Sequence, residues 1–139
     1  MLNGILKMKS RYNLDCFSGS YWSFVIIKQN RIIYKSKLAG LKPLIYCIKK
    51  YQTEMRDSIV YDKIIGKAAA ILIASAGVRE VWTPTISKAG RAYLSKNNVK
   101  IAYKDIVNCI RNRSGNDICP MEKIAGRLGE KEFLNKMLG

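Results

Sequence analysis

Four residues have the type and setting to do chemistry: Asp62, Lys67, Cys119 and Glu122, with Lys88 as a fifth candidate. Lys67 is the only charge between Ile64 and Val78, in a stretch that otherwise reads as core. A buried, unpaired ammonium costs several kcal/mol, on the order of 3–5. Lys67 therefore either snorkels to solvent on its long stem or meets a carboxylate or a ligand phosphate. Asp62 has the type and position of a helix N-cap, and a capping residue can also line a site. Cys119 precedes Pro120, which suits the first turn of a helix. A cysteine at a helix start can be activated as a nucleophile. The acidic Glu122 nearby and the lack of any histidine favour a structural or ligand-lining cysteine instead. Glu122 reads most simply as a favourable charge in the first turn of its own helix.

The absence of histidine excludes whole classes of mechanism. No Ser-His-Asp triad, Cys-His pair or His-ligated zinc or haem can be built. The Gly66-Lys67 pair is not a phosphate-binding P-loop. Position 61 is Tyr rather than Gly, and Lys67 is followed by Ala68 rather than Ser or Thr.

The partners are bounded by charge. The 139 residues carry 25 Lys and Arg against 10 Asp and Glu, a formal charge of +15. No block of five like charges occurs, so this is not a basic tail. Such a surface favours anions: a nucleotide, nucleic acid or an acidic membrane. The plainer reading is a lysine-rich chain kept soluble by its charge. The hairpin residues Lys28, Arg31, Lys35 and Lys37 could track phosphates or simply protect a sheet edge. Trp22, Trp82 and the tyrosines read as packing residues rather than a stacking platform. Cys16, Cys47, Cys109 and Cys119 form neither a C-x-x-C motif nor a compact disulfide framework. Three of them lie in apolar or aromatic surroundings and read as small core residues. The first twenty residues include Lys7, Lys9, Arg11 and Asp15 and lack the apolar run of a secretory signal. The stretch from Ile64 to Val78 is short of the roughly 20 residues needed to cross a bilayer. A reduced, cytoplasmic, soluble protein is expected, with no membrane partner.

The elements that must position these residues follow from periodicity. Residues 1–20 read as a leader, with Leu2, Ile5 and Leu6 on one helical face and a loop from Phe17 to Ser20. Tyr21–Ile27 and Arg31–Lys37 are β-branched and aromatic runs joined at Gln29-Asn30, a hairpin signature. Leu41 to about Glu54 keeps helical spacing, with Pro43 in the first turn. A central helix is predicted from Asp62 to about Ala76, closed by Gly77. Its body, Ala68-Ala-Ala-Ile-Leu-Ile-Ala74, is apolar on all sides and so must be buried on more than one face. Val78–Thr83 and Val99–Tyr103 read as strands around a helix from Ser87 to Asn97, the grammar of a parallel sheet. A short helix is predicted from Asp105 to Arg111, a polar loop from Asn112 to Asp117, and a helix from Pro120 through Leu128. The organisation expected is a leader over 1–20, one α/β domain over 21–128 and a helical tail over 129–139.

The segment Asp62-Lys-Ile-Ile-Gly-Lys-Ala-Ala-Ala70, with Val78-Arg-Glu-Val81, Asn112-Arg113 and Cys119-Pro-Met-Glu122, resembles a small bacterial family of unknown function. Its members are placed in the cytidine-deaminase-like superfamily by fold, and the resemblance runs from about Trp22 to about Ala125. It implies a three-layer α/β/α domain with a mixed sheet: an N-terminal antiparallel hairpin, then parallel strands around the buried central helix. Active deaminases of that superfamily hold zinc through H-x-E or C-x-E and P-C-x-x-C motifs, with the Glu shuttling protons. Aligned with them, this chain has Ile65 in place of the first ligand, Lys67 in place of the Glu, and Thr85 and Lys88 in place of the two cysteines. Zinc-assisted deamination is therefore not expected, and neither a metal nor another cofactor is expected.

What the resemblance leaves is a cleft at the N-terminus of the central helix. There Asp62, Lys67, Lys88, Cys119 and Glu122 would line a site for a small anionic or nucleotide-like ligand. Two further readings stand beside it. One is a non-enzymatic nucleic-acid-binding or regulatory module with weak, sequence-independent binding. The other is a scaffold acting through contacts in a homo-oligomer. On the metal the expectation is sharp: protein purified without chelator should carry far less than one zinc per chain by elemental analysis. Stoichiometric zinc would overturn the alignment.

Overall fold

The computed structural model describes residues 14–19 and 21–139. The predicted turn at Leu2, Ile5 and Leu6 lies outside these residues. The chain forms α1 (Leu14–Ser18), β1 (Phe24–Lys28), β2 (Arg31–Ser36), α2 (Lys42–Lys50), α3 (Gln52–Met55), β3 (Ile59–Asp62), β4 (Ile64–Ile65), α4 (Lys67–Ser75), β5 (Glu80–Ser87), α5 (Lys88–Lys96), β6 (Lys100–Val107), α6 (Pro120–Arg127) and α7 (Glu130–Leu138). No helix among the described residues is long and apolar enough to cross a membrane.

The sheet is mixed, as expected. β1 pairs antiparallel with both β2 and β3, while β3, β4 and β6 all run parallel to β5. The hairpin turn holds Gln29 at φ 51° and Asn30 at φ 62°, the left-handed pair that a two-residue β-turn demands. β1 shows no alternation of buried and exposed residues, because both of its faces are covered. Phe24 and Ile26 join the main core under the helices, while Val25 and Ile27 join a smaller core with Leu14 and Phe17 of α1, Tyr61 and Trp82. The two outer layers are thus unequal. α2, α4, α5, α6 and α7 cover one face, and among the described residues α1 is the helix on the other.

β3 and β4 are one strand broken in the middle. Ile59 pairs with Glu80 and Ile64 with Thr85, which is the same offset along β5. At that offset Lys63 faces Pro84, which has no N–H to donate. The ladder is interrupted there, and the Lys63 N–H turns instead to the Ser23 carbonyl at 3.0 Å.

This corrects the predicted start of the central helix. Asp62 ends β3 and is not a helix cap; α4 begins five residues later at Lys67, with Gly66 as its N-cap. Ile64 and Ile65 are claimed by the sheet, where two β-branched residues are at home. The rest of α4 is as its sequence demands: Ala68 to Ile73 are all buried, packed among α2, α5, α6 and α7. Three further expectations are corrected. Residues 105–107 continue β6 rather than opening a helix, because the parallel ladder with β5 runs to Val107. Phe17 lies in α1, not in a loop. Cys47 alone of the four cysteines is buried; Cys16 is exposed and Cys109 and Cys119 are half-buried.

Candidate functional site

A cleft of about 720 Å³ opens at the end of β3 and β4, beside the start of α4. Its floor is the sheet end and the first turn of α4, with Asp62, Ile64, Gly66, Ala68 and Ala69. One wall is the connection from β2 to α2, with Ala39, Gly40 and Leu41. The other is the segment Ile110–Ser114 with Cys119–Glu122 at the start of α6. That segment is folded back on itself: the Cys119 N–H donates to Ile110 O at 2.9 Å and the Asn112 N–H to Asp117 O at 2.8 Å. The Lys123 ammonium holds Asp117 at 2.6 Å, and this contact keeps the Asp117 carboxyl below its ordinary pKa.

The centre of the site is a carboxylate that crosses between helices. Glu122 sits in the first turn of α6, but its oxygens accept the N–H groups of Lys67 and Ala68 at 2.8 and 2.9 Å. It caps α4 from 55 residues away. The first turn of a helix has N–H groups with no partner inside the helix, and a negative charge there also meets the positive end of the helix dipole. Gly66 offers α4 no capping side chain, and it is the reason the carboxylate fits. A Cβ at Gly66 would lie 2.4–2.6 Å from the Glu122 carboxylate. Its φ of −106° suits any residue, so space and not conformation requires glycine here. Gly90 of α5 is also closely packed, since a Cβ there would stand 3.0 Å from the Gly66 carbonyl.

Asp62 is the second feature. It is 8% exposed, and burial drives its pKa well above the usual carboxylate range, offset in part by hydrogen bonds from the backbone of Ile64 and Lys63. No ion pair to Asp62 forms among the described residues. Further polar residues line the cleft, Ser23, Lys63 and Ser114 among them. Arg111 and Arg113 bring positive charge to one wall, and the side-chain oxygen of Asn112 is buried with no hydrogen-bond partner.

The structure thus brings Asp62, Cys119 and Glu122 together in the cleft. Lys67 contributes its backbone N–H, not its ammonium. Its side chain is half-buried, lies outside the cleft lining and forms no ion pair among the described residues. The Lys88 side chain is exposed and also lies outside the lining. The sequence reading did not select Arg111, Asn112 or Arg113 as site residues, although the polar loop and the Asn112-Arg113 motif pointed at the right segment. At the position where the resemblance would place zinc, Ile65 is buried in β4. Among the described residues no three His, Cys, Asp or Glu come together in a way that could hold a metal ion. The residues present do not fit a zinc cage.

Two stability predictions follow from this geometry. Glu122→Ala should cost about 1–3 kcal/mol by leaving two helix N–H groups unmet. Gly66→Ala should cost at least as much by expelling the same carboxylate. The double variant should cost clearly less than the sum, because both changes remove one interaction; chemical denaturation of the four proteins measures the cycle. Asp62 gives the second. The folded chain holds the Asp62 proton more tightly than the unfolded chain, so its contribution to stability is full below the ordinary carboxylate pKa. It is lost as pH rises through the raised value. Asp62→Asn should therefore melt above the wild type at neutral pH, with the gap closing toward about pH 4, the ordinary carboxyl range. Melting curves across pH check this.

No curated protein matches the sequence. The crystal structure of a DUF1893 family protein (TM1506) from Thermotoga maritima superimposes with a TM-score of 0.79 at 25% identity, covering 99% of this chain and 87% of that one. RibD of Acinetobacter baumannii gives a TM-score of 0.46 at 14% identity, over 98% of this chain and 40% of that one. The family described as a domain of unknown function, DUF1893, matches residues 14–138. With that match spanning nearly every described element, the chain belongs to the DUF1893 family.

Proposed function

We propose that this chain binds a small anionic, nucleotide-like ligand in the cleft between the end of β3–β4 and the start of α6. The observation that carries the reading is the pairing of a buried carboxyl, Asp62, with the two arginines of the 110–114 segment around one cleft of about 720 Å³. That volume lies within the range of small-molecule sites, roughly 300–1,000 Å³. An apolar lining from Leu41, Ile64, Ala68, Ile110 and Met121 with a few polar groups is also the usual make-up of such sites.

The anion's partner differs from the one the sequence suggested. The N–H groups at the start of α4 are already held by Glu122. Arg111 and Arg113, with Lys63, are the cationic residues of the lining, and the guanidinium groups suit a phosphate through paired hydrogen bonds. Whether a reaction follows binding is a separate matter: the lining has no histidine, no metal-binding cluster and no activated nucleophile–base pair among the described residues.

The runner-up is a nucleic-acid surface. The observation favouring it lies on the hairpin, where Lys35 sits 4.4 Å and Lys37 5.3 Å from the Trp22 ring centre and Tyr21 is 85% exposed. One experiment separates the two. A thermal-shift and calorimetric panel of nucleoside monophosphates, sugar phosphates and a single-stranded oligonucleotide would be run at two salt concentrations. The cleft reading expects a mononucleotide to bind with weak salt dependence, Arg113→Ala to weaken it roughly tenfold or more through loss of a charged hydrogen bond, and Lys35→Ala to leave it unchanged. Binding of the oligonucleotide alone, falling steeply with salt and sensitive to Lys35→Ala, would make the surface reading the correct one.

A further inference from the structure

The acceptors in the cleft say more about the ligand than its charge does. Asp62 is a nine-tenths buried carboxyl on the floor, and the only partners shown for it are the backbone N–H groups of its own turn. Asn112 on the wall has its amide nitrogen tied to Asn116 at 3.0 Å, which fixes the side-chain oxygen as a buried acceptor without a donor. Both residues line the same cleft, with Lys63 also in its lining and Lys67 and Lys88 outside it. A buried acceptor left unmet, such as the Asn112 oxygen, costs about 1–3 kcal/mol. The Asp62 oxygens take the backbone N–H groups of Lys63 and Ile64, and a carboxylate keeps further lone pairs for a ligand's donors. A ligand that supplies donors to both gains where one that presents further acceptors does not.

Resting on the proposed ligand cleft, we infer that the ligand carries a ring edge of adjacent N–H and NH2 donors, of the guanine type, that docks on Asp62 while its phosphate meets Arg111 and Arg113. The chemistry discriminates among the common bases. The N1–H and 2-amino groups of guanine are two parallel donors with no acceptor between them, the complement of a carboxylate's two oxygens. Adenine and cytosine offer one donor beside a bare ring nitrogen, which faces a carboxylate oxygen with repulsion. Uracil offers a single ring N–H between two carbonyls. Burial raises the Asp62 pKa, so any proton the carboxyl carries leaves to solvent as the ligand's donors take its place. No covalent step is involved.

The test exploits a donor–acceptor inversion. Asp62→Asn replaces one acceptor oxygen by an NH2 donor, and xanthine differs from guanine by having an acceptor carbonyl at position 2. Calorimetric titration of wild type and Asp62→Asn with the 5′-monophosphates of guanosine, xanthosine, adenosine and uridine reads the outcome. Wild type should favour guanosine monophosphate over the other three by roughly tenfold or more, the usual discrimination of a bidentate pair. Asp62→Asn should reverse the order of guanosine and xanthosine monophosphates. Arg113→Ala should weaken all that bind by a similar factor, since it meets the phosphate and not the base. The inference is overturned if wild type binds the four alike or prefers adenosine or uridine, or if Asp62→Asn weakens all equally; in each of those cases the ligand cleft itself stands. If none of the four binds at millimolar concentration, the cleft reading falls and this inference with it.

Discussion

The Glu122 carboxylate on the first N–H groups of α4 is the contact on which the C-terminal helices and the cleft beside them depend. α4 is the most buried helix among the described residues, and the N–H groups of its first turn have no partner within the helix, so Glu122 meets them from outside it. Supplying that acceptor from α6 fixes the C-terminal helices against the central one. It also sets the 110–119 segment as a wall of the cleft, because Cys119, at the foot of α6, is bonded back to Ile110. The same contact demands glycine at position 66, where a side chain would occupy the carboxylate's place, and the tight approach of α5 demands glycine at 90.

A single missing N–H organises the opposite side of the cleft. Pro84 cannot complete the ladder in β5, so the neighbouring strand breaks at Lys63 and resumes as β4. Asp62 stands at that break. Its carboxyl is held by the backbone of Lys63 and Ile64 and is pressed into a low-dielectric setting that disfavours its charge. A buried carboxyl lacking a cation lowers stability at neutral pH.

The site therefore differs in kind from the one that the aligned deaminase motifs describe. The positive end of the central helix is closed by the protein's own carboxylate, and the position of the first zinc ligand holds a buried isoleucine. In place of those motifs the cleft has a buried carboxyl, a buried amide oxygen, two arginines and an apolar lining. A net charge of +15 favours encounter with anions rather than selectivity among them.

The sequence by itself determined the elements with strong local signals. The β-branched runs of the hairpin, the uniformly apolar body of α4, the Ser87–Asn97 helix and the proline start of α6 were legible because period, turn residues and burial all point the same way there. The absence of histidine settled which chemistries cannot occur. Tertiary structure decided everything that rests on two distant segments meeting. Ile64-Ile65 became strand because β5 was beside them, and residues 105–107 became strand for the same reason. Glu122 looked like a charge for its own helix, and it serves another helix 55 residues away. Lys67 looked like the charged partner in the site, and only its backbone takes part. Local sequence records how a residue favours its own turn of chain. It does not record which unmet N–H or carbonyl the folded neighbour will present, and in this molecule those unmet groups choose the site.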